Sequence, residues 1–518
     1  MKLLLLALAL IAGADYLESA VRLSGASCVE DMSQAEIERY ESMAAHPLDL
    51  NRATRRELLA SGLLTPYQVA AILDYISNYG EICSIAELGA VDGIGPERAG
   101  DLAPFVELKP GEQLGARPRR RLRADAMLRL ADKTGTWSNA AKASVGYGGL
   151  KAGLAAKNLA PTAGYISLQG RRIPGQLIVG DFNARIGQGL LSWTGFTMTA
   201  LYTVGAFVRS PTGLSGSNTL SEGSAKRGVA GDITLGPVDI SAYATFDGAE
   251  QMAHVQRYFR RATVGATVLH TRDQLCASAD YRFTLGKITG FGELALNTPK
   301  TPCLLNIRAG VFYNHSYGNR GALLLRFSSD ERAAALGAET RWASLTAEAS
   351  QNLTKQTRQL RTVALCNPSF TLGGWTLKPS FRLNSRYRPE EELKWRNDLR
   401  AELDLQTGPW ILHGRVNALR CEQWAWLTYL ETGYKKEKTS VYLRGTLFKI
   451  DKWNDRIYSY ERDAPGSFNV PAYYGRGFAL ALYARWRCFA LRAATTRYPW
   501  TPDKEPKYEL KMQLNIRI

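Results

Sequence analysis

Seven arginines between residues 308 and 517 stand where apolar and polar residues alternate along the chain. They are Arg308, Arg382, Arg400, Arg415, Arg444, Arg485 and Arg517. A guanidinium group stays charged and binds carboxylates or phosphates through paired hydrogen bonds. A row of such groups along a water-filled lumen would attract anions. The same arginines could instead pair with acidic residues inside the lumen and hold a barrel together. The sequence leaves both alternatives open.

No residue spacing in the chain is typical of catalysis or of metal binding. His254, His270 and His413 are far apart in sequence, and none stands at a fixed spacing from a serine and an acid, as a hydrolase would need. The seven cysteines are scattered without a Cys-x-x-Cys pair, so no metal site and no redox motif is predicted. The sequence therefore predicts a non-enzymatic protein without catalytic residues, metal ligands or cofactors.

The segments that carry the arginines are predicted strands. Apolar and polar residues alternate without interruption in residues 508–518, and the pattern recurs in residues 122–130, 305–313, 399–405 and 478–486. A strand directs successive side chains to opposite faces, so each segment has one apolar and one polar face. Segments of roughly ten residues between turn signals indicate roughly 20 antiparallel strands. We predict an all-β transmembrane barrel over residues 119–518, monomeric and in contact with outer-membrane lipid.

The N-terminus and the loop lengths predict location and orientation. Residues 1–14 are typical of a cleaved signal peptide, because Lys2 precedes an apolar run that ends in small residues. Longer connections near residues 387–392, 450–474 and 500–506 alternate with tight turns, and outer-membrane barrels keep their short turns in the periplasm. An even strand number would then leave the N-terminal part of the protein in the periplasm. Several tryptophans near strand ends predict aromatic girdles: Trp375, Trp395, Trp410, Trp424, Trp453 and Trp500.

Charge divides the chain into two parts. Residues 15–108 contain 6 arginines, no lysine and 16 acidic residues, a net charge of −10, whereas residues 109–518 carry a net charge of +26. Opposite charges attract. This attraction favours an N-terminal part that folds up into the barrel as a plug, and the same sequence is also consistent with one that stands free in the periplasm.

Residues 47–108 predict a small all-α domain of four short helices. Thr54 with Glu57, Thr65 with Gln68, and Ser84 with Glu87 have the spacing of capping boxes, in which two side chains satisfy the first amides of a helix. Residues 15–46 are predicted to be an acidic N-terminal segment, and residues 109–118 a linker to the barrel.

The stretch 48–106 resembles the tandem helix-hairpin-helix module of competence-type DNA-uptake receptors. The resemblance rests on Asn51-Arg-Ala-Thr-Arg-Arg-Glu-Leu58, on residues 75–88, and on Val91-Asp-Gly-Ile-Gly-Pro-Glu-Arg-Ala99. In that family the glycine pair brings the turn close to a nucleic-acid backbone, and the next helix offers amides to a phosphate. The resemblance implies that double-stranded DNA is contacted by Gly93, Ile94, Gly95, Arg98 and Ala99. The first hairpin, residues 61–66, departs from the pattern by lacking its second glycine.

The whole chain resembles Bacteroidetes-type outer-membrane barrel proteins that contain a helix-hairpin-helix domain. The barrel-side similarities lie in residues 180–189, 456–461 and 474–477. The resemblance implies a channel or import component whose periplasmic module contacts DNA during uptake. The alternative is an envelope scaffold, a plugged barrel whose module docks a periplasmic protein partner. Residues 180–189 are rich in glycine and predict a kinked strand beside a loop that folds into the lumen, with Asp181 and Arg185 paired inside.

Overall fold

The computed structural model describes residues 16–109, 122–170, 174–195, 201–221, 223–298, 304–316, 318–501 and 504–517. The predicted signal peptide, the predicted linker after Lys109, Cys303 and the C-terminal Ile518 lie outside these described residues.

The N-terminal part, residues 16–109, is helical and is called the helical module below. Its α-helices are α1 Tyr16–Ser24, α2 Gln34–Ala45, α3 Arg55–Ala60, α4 Pro66–Tyr79, α5 Ile85–Ala90 and α6 Gly95–Leu102. Single 3₁₀ turns lie at Val29–Asp31 and Ala103–Phe105, and two short strands, β1 Leu48–Asp49 and β2 Val106–Glu107, pair in parallel. The four predicted helices correspond to α3 to α6, of which α3 contacts α4 and α5 contacts α6.

Capping explains where these helices begin. The Thr54–Glu57 and Thr65–Gln68 capping boxes are complete, and each satisfies amides that the first helical turn leaves unpaired. The third predicted box is half formed, because the Ser84 hydroxyl accepts from Glu87 while the Glu87 carboxylate accepts from the Cys83 amide. A further box, between Ser33 and Glu36, begins α2 and was not predicted.

Residues 16–45 pack into the same hydrophobic core as α3 to α6. Ala20 of α1 and Ile37 and Tyr40 of α2 are buried together with Leu58 of α3 and Phe105. The Tyr40 and Phe105 rings lie 5.3 Å apart. The acidic N-terminal segment is therefore built into the module through apolar contacts, although its composition gave little sign of a core.

The remainder of the described chain forms one closed antiparallel barrel whose wall contains 24 strands. These are β3 Leu122–Lys133, β4 Thr136–Tyr147, β5 Leu150–Lys157, β6 Ala160–Gly170, β7 Gly175–Arg185, β9 Lys226–Leu235, β10 Val238–Thr245, β11 Glu250–Tyr258, β12 Ala262–Thr271, β13 Leu275–Leu285, β14 Ile288–Thr298, β15 Leu304–Ser316, β16 Asn319–Phe327, β17 Glu331–Glu339, β18 Ala343–Asn352, β19 Thr357–Cys366, β21 Trp375–Tyr387, β22 Trp395–Thr407, β23 Trp410–Arg420, β24 Trp424–Lys436, β25 Thr439–Ile450, β28 Gly475–Trp486, β29 Phe489–Arg497 and β30 Lys507–Arg517. Short additional strands are β8 Gly213–Gly216, β20 Phe370–Leu372, β26 Ile457–Tyr458 and β27 Ala472–Tyr473.

The wall strands pair in chain order, and β3 pairs with β30 to close the barrel. The prediction of roughly 20 strands is thus corrected to 24. The reason is the shortness of the connections: β3 and β4 are joined through Thr134 and Gly135, and β4 and β5 through residues 148–149, both with positive φ at a turn glycine. Two-residue hairpins use less chain than the sequence estimate assumed.

Side chains on the outer face of the wall are apolar, and those on the inner face are mainly polar. In β22, Leu399 and Leu403 are 47% and 41% exposed, whereas Arg400 between them is 6% exposed. Trp375, Trp395, Trp410 and Trp424 each begin a strand and are exposed, as in an aromatic girdle at a bilayer interface. Among the described residues, no helix has both the length and the apolar character needed to cross a bilayer.

The two ends of the barrel differ in the length of their connections. At the end where β3 begins and β30 finishes, described turns such as 236–237, 408–409 and 487–488 contain two residues. The opposite end carries the long connections, which include residues 186–225 and 451–474. We call residues 186–221 the inner segment and residues 451–474 the inner loop, because the described parts of both turn back into the lumen.

The helical module lies inside the barrel, against the inner wall. Arg55 and Asp74 contact the short turns at Gly236 and Arg260, so the module sits toward the end that carries both barrel termini. Of the two arrangements that the sequence left open, the structure shows the one in which the module folds into the barrel. The physical reason is the charge division seen in the sequence, since the acidic surface of the module meets basic side chains of the inner wall.

Candidate functional site

The junction between the helical module and the inner wall is held by ion pairs around most of the barrel circumference. The module–wall pairs include Glu38–Lys142 on β4, Arg56–Asp232 on β9, Glu97–Arg341 after β17, Glu18–Lys378 and Asp31–Arg382 on β21, Glu30–Arg400 on β22, Glu30–Arg415 on β23 and Glu41–Arg517 on β30. Contacts on opposite sides of the wall mean that the module spans the lumen.

Glu30, in the 3₁₀ turn after α1, has the densest set of partners. Its carboxylate lies 2.6 Å from Nη1 of Arg415 and 3.4 Å from Nη1 of Arg400. It also accepts a hydrogen bond of 3.0 Å from the backbone N–H of Tyr460 in the inner loop. One side chain of the module therefore joins two wall strands and the inner loop, and charge-assisted hydrogen bonds of this kind are the stronger ones.

A second contact lies beside Glu30. Nη1 of Arg382 is 3.2 Å from the Asp31 carboxylate, and it also approaches Ser27 Oγ and Cys28 Sγ at 2.9 Å. Burial raises the pKa of the Cys28 thiol, so this cysteine is protonated at neutral pH. Cys28 therefore acts here as a packed polar group.

The inner loop closes the lumen from the other side. Asp455 is 1% exposed, and its carboxylate accepts from the amides of Cys421, Glu422 and Gln423 at 2.7 to 2.9 Å. Further along the loop, Asp463 binds Lys511 on β30 at 2.5 Å. The loop is thereby fixed to the wall near its start and near its middle.

Contacts between the inner loop and the helical module complete this closure. Gln34 of α2 donates to the carbonyl of Gly466 at 2.8 Å, and Phe468 packs against the core of the module. The carbonyl of Tyr458 accepts a hydrogen bond from Arg415 at 3.2 Å, so the arginine that binds Glu30 also binds the loop. A displacement of the module would break contacts with both the wall and the loop.

The inner segment supports the module at another part of the wall. Its 3₁₀ turn Val204–Phe207 packs on Phe291 and Phe312, and Arg308 donates to the Phe207 carbonyl at 2.8 Å. The Thr203 hydroxyl donates to the carbonyl of Gly25 in the module. This arrangement agrees with the prediction that a loop after residues 180–189 folds into the lumen.

The glycine-rich strand before the inner segment is kinked as predicted. Gly180 has φ +108°, and a Cβ there would collide with the Gly164 carbonyl oxygen. The predicted pair of Asp181 with Arg185 is wrong. Asp181 instead pairs with Arg227 on β9, at 2.9 Å, because the kink turns Arg185 toward Thr194 and Trp193.

Four of the seven arginines singled out in the sequence reach the helical module, namely Arg382, Arg400, Arg415 and Arg517. Arg308 binds the inner segment, and Arg444 pairs with Glu431 at 2.7 Å and donates to the Tyr460 carbonyl of the inner loop. Arg485 on β28 is half-buried. Most of these arginines therefore have a carboxylate partner inside the lumen.

The five hairpin residues lie at the turn between α5 and α6 and in α6 itself. Gly93 and Gly95 both have φ +77°, a conformation that favours glycine. Ile94, Gly95 and Ala99 are buried in the module. Arg98 donates to the Leu63 carbonyl at 2.7 Å, and burial lowers its pKa.

Histidines and cysteines do not form a site in the described part of the chain. His254 is buried beside the Thr267 hydroxyl, and His413 lies between Asp404 and Tyr429. His270 is exposed on the outer side of β12. No cluster of three or more His, Cys, Asp or Glu side chains suited to a metal ion occurs among the described residues.

Sequence reasoning missed the individual acidic partners in the module, chiefly Glu18, Glu30, Glu38 and Glu41. Their shared signal was the net charge of −10 in residues 15–108. That signal indicated attraction to the barrel, but no local motif distinguishes a carboxylate that meets the wall from one that faces water.

The pH dependence of Glu30 can be predicted from its surroundings. Burial alone would raise the pKa of Glu30, but the guanidinium groups of Arg400 and Arg415 and the Tyr460 N–H hold it well below the ordinary value of 4.5. A lowered pKa in the docked state means that the Glu30 contribution is present above the ordinary pKa and is lost as pH falls through the lowered one.

We therefore expect the free energy of module docking to differ between the wild type and the Glu30→Gln variant by the same amount at every pH from neutral down to 4.5, the ordinary pKa of a glutamate. The difference should vanish only at lower pH. Single-channel leak currents measured across a pH series test this expectation, and a difference that disappears above pH 4.5 would contradict it.

The fold and the junction together define a closed antiparallel barrel with an internal helical plug. No protein-family model and no curated protein matches the sequence significantly.

Among solved structures, the chain is similar to OpdL of Pseudomonas aeruginosa at 10% identity and a TM-score of 0.34, with 77% of this chain and 97% of that chain covered. It is also similar to the translocation pore of the P pilus usher PapC, at 9% identity and a TM-score of 0.41, with 77% and 99% covered. A BenF-like porin from Pseudomonas fluorescens Pf-5 matches at 10% identity and a TM-score of 0.30, with 77% and 99% covered. No function is carried over at these values.

Proposed function

We propose that the protein is a non-enzymatic outer-membrane channel that its own helical module holds closed. The observation that carries this proposal is the ring of module–wall ion pairs, which reaches from Lys142 on β4 to Arg517 on β30. If the module were a permanent part of the barrel core, apolar packing alone would hold it to the wall. The module is instead fixed to the wall mainly by ion pairs, and an interaction that competes for these charged groups can release it.

The outer face and the topology support the membrane location. A closed barrel pairs every wall strand, which is the requirement for a β-structure in lipid, and its outer face is apolar. Both barrel termini lie at the end with the short turns, so by the usual orientation that end faces the periplasm and the long connections face outside. The helical module would then block the periplasmic side of a monomeric channel.

A charge-swap experiment at Glu38 and Lys142 tests the closed-channel proposal. The two groups are 2.7 Å apart and only 11% and 22% exposed. We expect Lys142→Glu and Glu38→Lys each to raise the leak conductance of the full-length protein, because each places like charges in contact. The double variant should restore low conductance, since it re-forms the pair in reverse.

Planar-bilayer recordings at matched protein density provide the measurement, and Lys157→Glu, an exposed lysine at the end of β5, is the control. Single variants that stay closed, or a double variant as leaky as the singles, would argue against a releasable module.

Contact between the module and double-stranded DNA is a finer part of this proposal and requires the module to leave the barrel. In the closed state Arg98 is already bound to the Leu63 carbonyl, and Ile94, Gly95 and Ala99 are buried. The net charge of −10 also opposes phosphate binding.

If the import role holds, the isolated module, residues 15–108, should retard duplex DNA in a gel-shift assay, and retardation should weaken with salt. The variant Gly93→Val with Gly95→Val should abolish it, because both glycines have φ +77° and valine strains that conformation. A folded module that does not bind at low salt would remove DNA from the proposal and leave the closed channel intact.

A second candidate, an envelope scaffold that docks a periplasmic protein, is favoured by the far end of α4. Tyr79 is 79% exposed there, and its ring lies 5.1 Å from that of Tyr75. Exposed aromatic residues are typical of protein contacts. If the protein is a scaffold, its barrel should stay closed in every charge-swap variant. The Tyr79→Ser substitution should then reduce the binding of the periplasmic partner.

A further inference from the structure

A cavity lies where the helical module, the inner segment and the wall meet. The module contributes Arg56 and Leu64, and the inner segment contributes Pro211 and Thr212. The wall contributes the end of β7 and residues of β9, β10, β11 and β13. The charged and polar wall residues in that lining are Arg185, Asp232, Asp239, Ser241, His254, Gln256, Tyr258 and Arg282. A ligand in this cavity would touch all three parts of the closed lumen.

Four arginines at or beside the cavity have no carboxylate within ion-pair distance among the described residues. They are Arg39 and Arg98 of the module and Arg185 and Arg282 of the wall. Arg185 and Arg282 line the cavity directly. Arg39 lies beside Gly62, which also contacts the lining residue Thr212, and Arg98 is bound to the carbonyl of Leu63, next to the lining residue Leu64.

Three of these four guanidinium groups have an N–H without a hydrogen-bond partner among the described residues, whereas Arg185 donates from Nε to the Thr194 carbonyl at 3.2 Å. Nε of Arg39, Nε of Arg98 and Nη1 of Arg282 are shielded from solvent and have no hydrogen-bond partner. Their charges also repel one another, Arg282 with Arg98 and Arg185 with Arg39. Unpaired buried charge is costly, so a compensating anion would stabilise this arrangement.

The acidic groups nearby are mostly engaged elsewhere. Asp232 pairs with Arg56 at 2.9 Å and accepts from Gln176 at 2.7 Å. Glu36 accepts from the amide and the hydroxyl of Ser33, both at 2.9 Å, as part of the capping box that begins α2. Asp239 lies near the Tyr258 hydroxyl of the adjacent strand, and its Oδ1 atom has no hydrogen-bond partner among the described residues. None of these carboxylates lies within ion-pair distance of the four arginines.

We propose that this cavity binds a small solute carrying a carboxylate or phosphate group, with Arg185 and Arg282 as its direct donors. Arg39 and Arg98 add positive charge from the module side. A planar guanidinium group suits both kinds of oxyanion because it offers two parallel N–H donors. The bound solute would join wall and module, so it would favour the docked state by mass action. This site does not depend on the channel role, because binding can be measured on the closed protein.

Equilibrium dialysis of the full-length protein in detergent, with radiolabelled inorganic phosphate or succinate at constant chloride, tests the proposal. We expect saturable binding to a single site in the millimolar range or tighter. The double variant Arg185→Gln with Arg282→Gln should weaken binding by about tenfold or more, since it removes two charge-assisted donors. Arg257→Gln, on the exposed outer face of β11, should bind like the wild type.

The two probes separate the ligand classes. Preference for phosphate identifies a phosphorylated solute, and preference for succinate identifies an organic acid. Absence of saturable binding for both probes overturns the proposal, as does binding that the double variant leaves unchanged. Heat-modifiable migration on gels shows whether the double variant is folded. If the double variant is not folded, the Arg98→Gln variant is used in its place. This substitution alters the site from the module side and should also weaken binding.

Discussion

Deletion of residues 15–108 is expected to turn the closed barrel into an open channel. The wall pairs with itself through β3 and β30 without help from the helical module, so the barrel should remain closed as a cylinder. Barrels of 16 to 18 strands already leave an aqueous passage, and this one has 24. We expect the conductance in planar bilayers to rise by roughly tenfold or more, the inner loop and inner segment setting the remaining constriction.

The deleted barrel should also prefer anions, because Arg382, Arg400 and Arg415 lose their partners in the module and would face water. Reversal potentials in a salt gradient measure this preference. The control is full-length protein prepared in the same detergent. An unchanged conductance, in a deletion variant that still shows heat-modifiable migration, would mean that the inner loop and inner segment alone block the lumen.

The Glu30→Lys substitution is expected to release the module while leaving it in the chain. It would put a third positive charge between Arg400 and Arg415, which lie 3.4 and 2.6 Å from the present carboxylate. Removing one partner of a buried pair costs about 3–5 kcal/mol, and the added repulsion acts in the same direction. We expect the open fraction in single-channel records to rise by roughly a hundredfold or more.

Glu107→Lys is the matched control, because Glu107 is an acidic module residue that pairs with Lys109 and has no ion pair with the described residues of the wall. Limited proteolysis gives an independent readout, since a released module should become accessible in Glu30→Lys and stay protected in the control. A closed channel in Glu30→Lys would show that apolar contacts and the inner loop hold the module without this ion pair.

The two-residue periodicity was sufficient to predict the barrel and the direction of its side chains. In β22 and β30, residues that face lipid alternate with residues that face the lumen, as the exposed fractions of Leu399 and Arg400 show. The strand number was underestimated because hairpins such as Gly148–Gly149 carry little sequence signal beyond the glycines themselves. Local capping chemistry likewise predicted α3, α4 and α5 from Thr54, Thr65 and Ser84.

The junction could be predicted only as an overall attraction. Glu30 and Arg415 are separated by 385 residues in the chain, and no local pattern connects them. Asp31 and Arg382 are equally remote. Residues 16–45 share a hydrophobic core with α3 to α6, and this core was also missed. Its apolar residues, such as Ala20 and Met32, are spread through an acidic stretch.

The pairing of β3 with β30 has a consequence for biogenesis. It joins Asp125 to Arg517, near the two ends of the barrel sequence, whereas the core of the module is made within residues 16–108. Short-range contacts form sooner than those that close long loops. We therefore expect the helical module to fold before β30 closes the barrel around it. The acidic surface of the module would then attract the basic inner strands as they assemble.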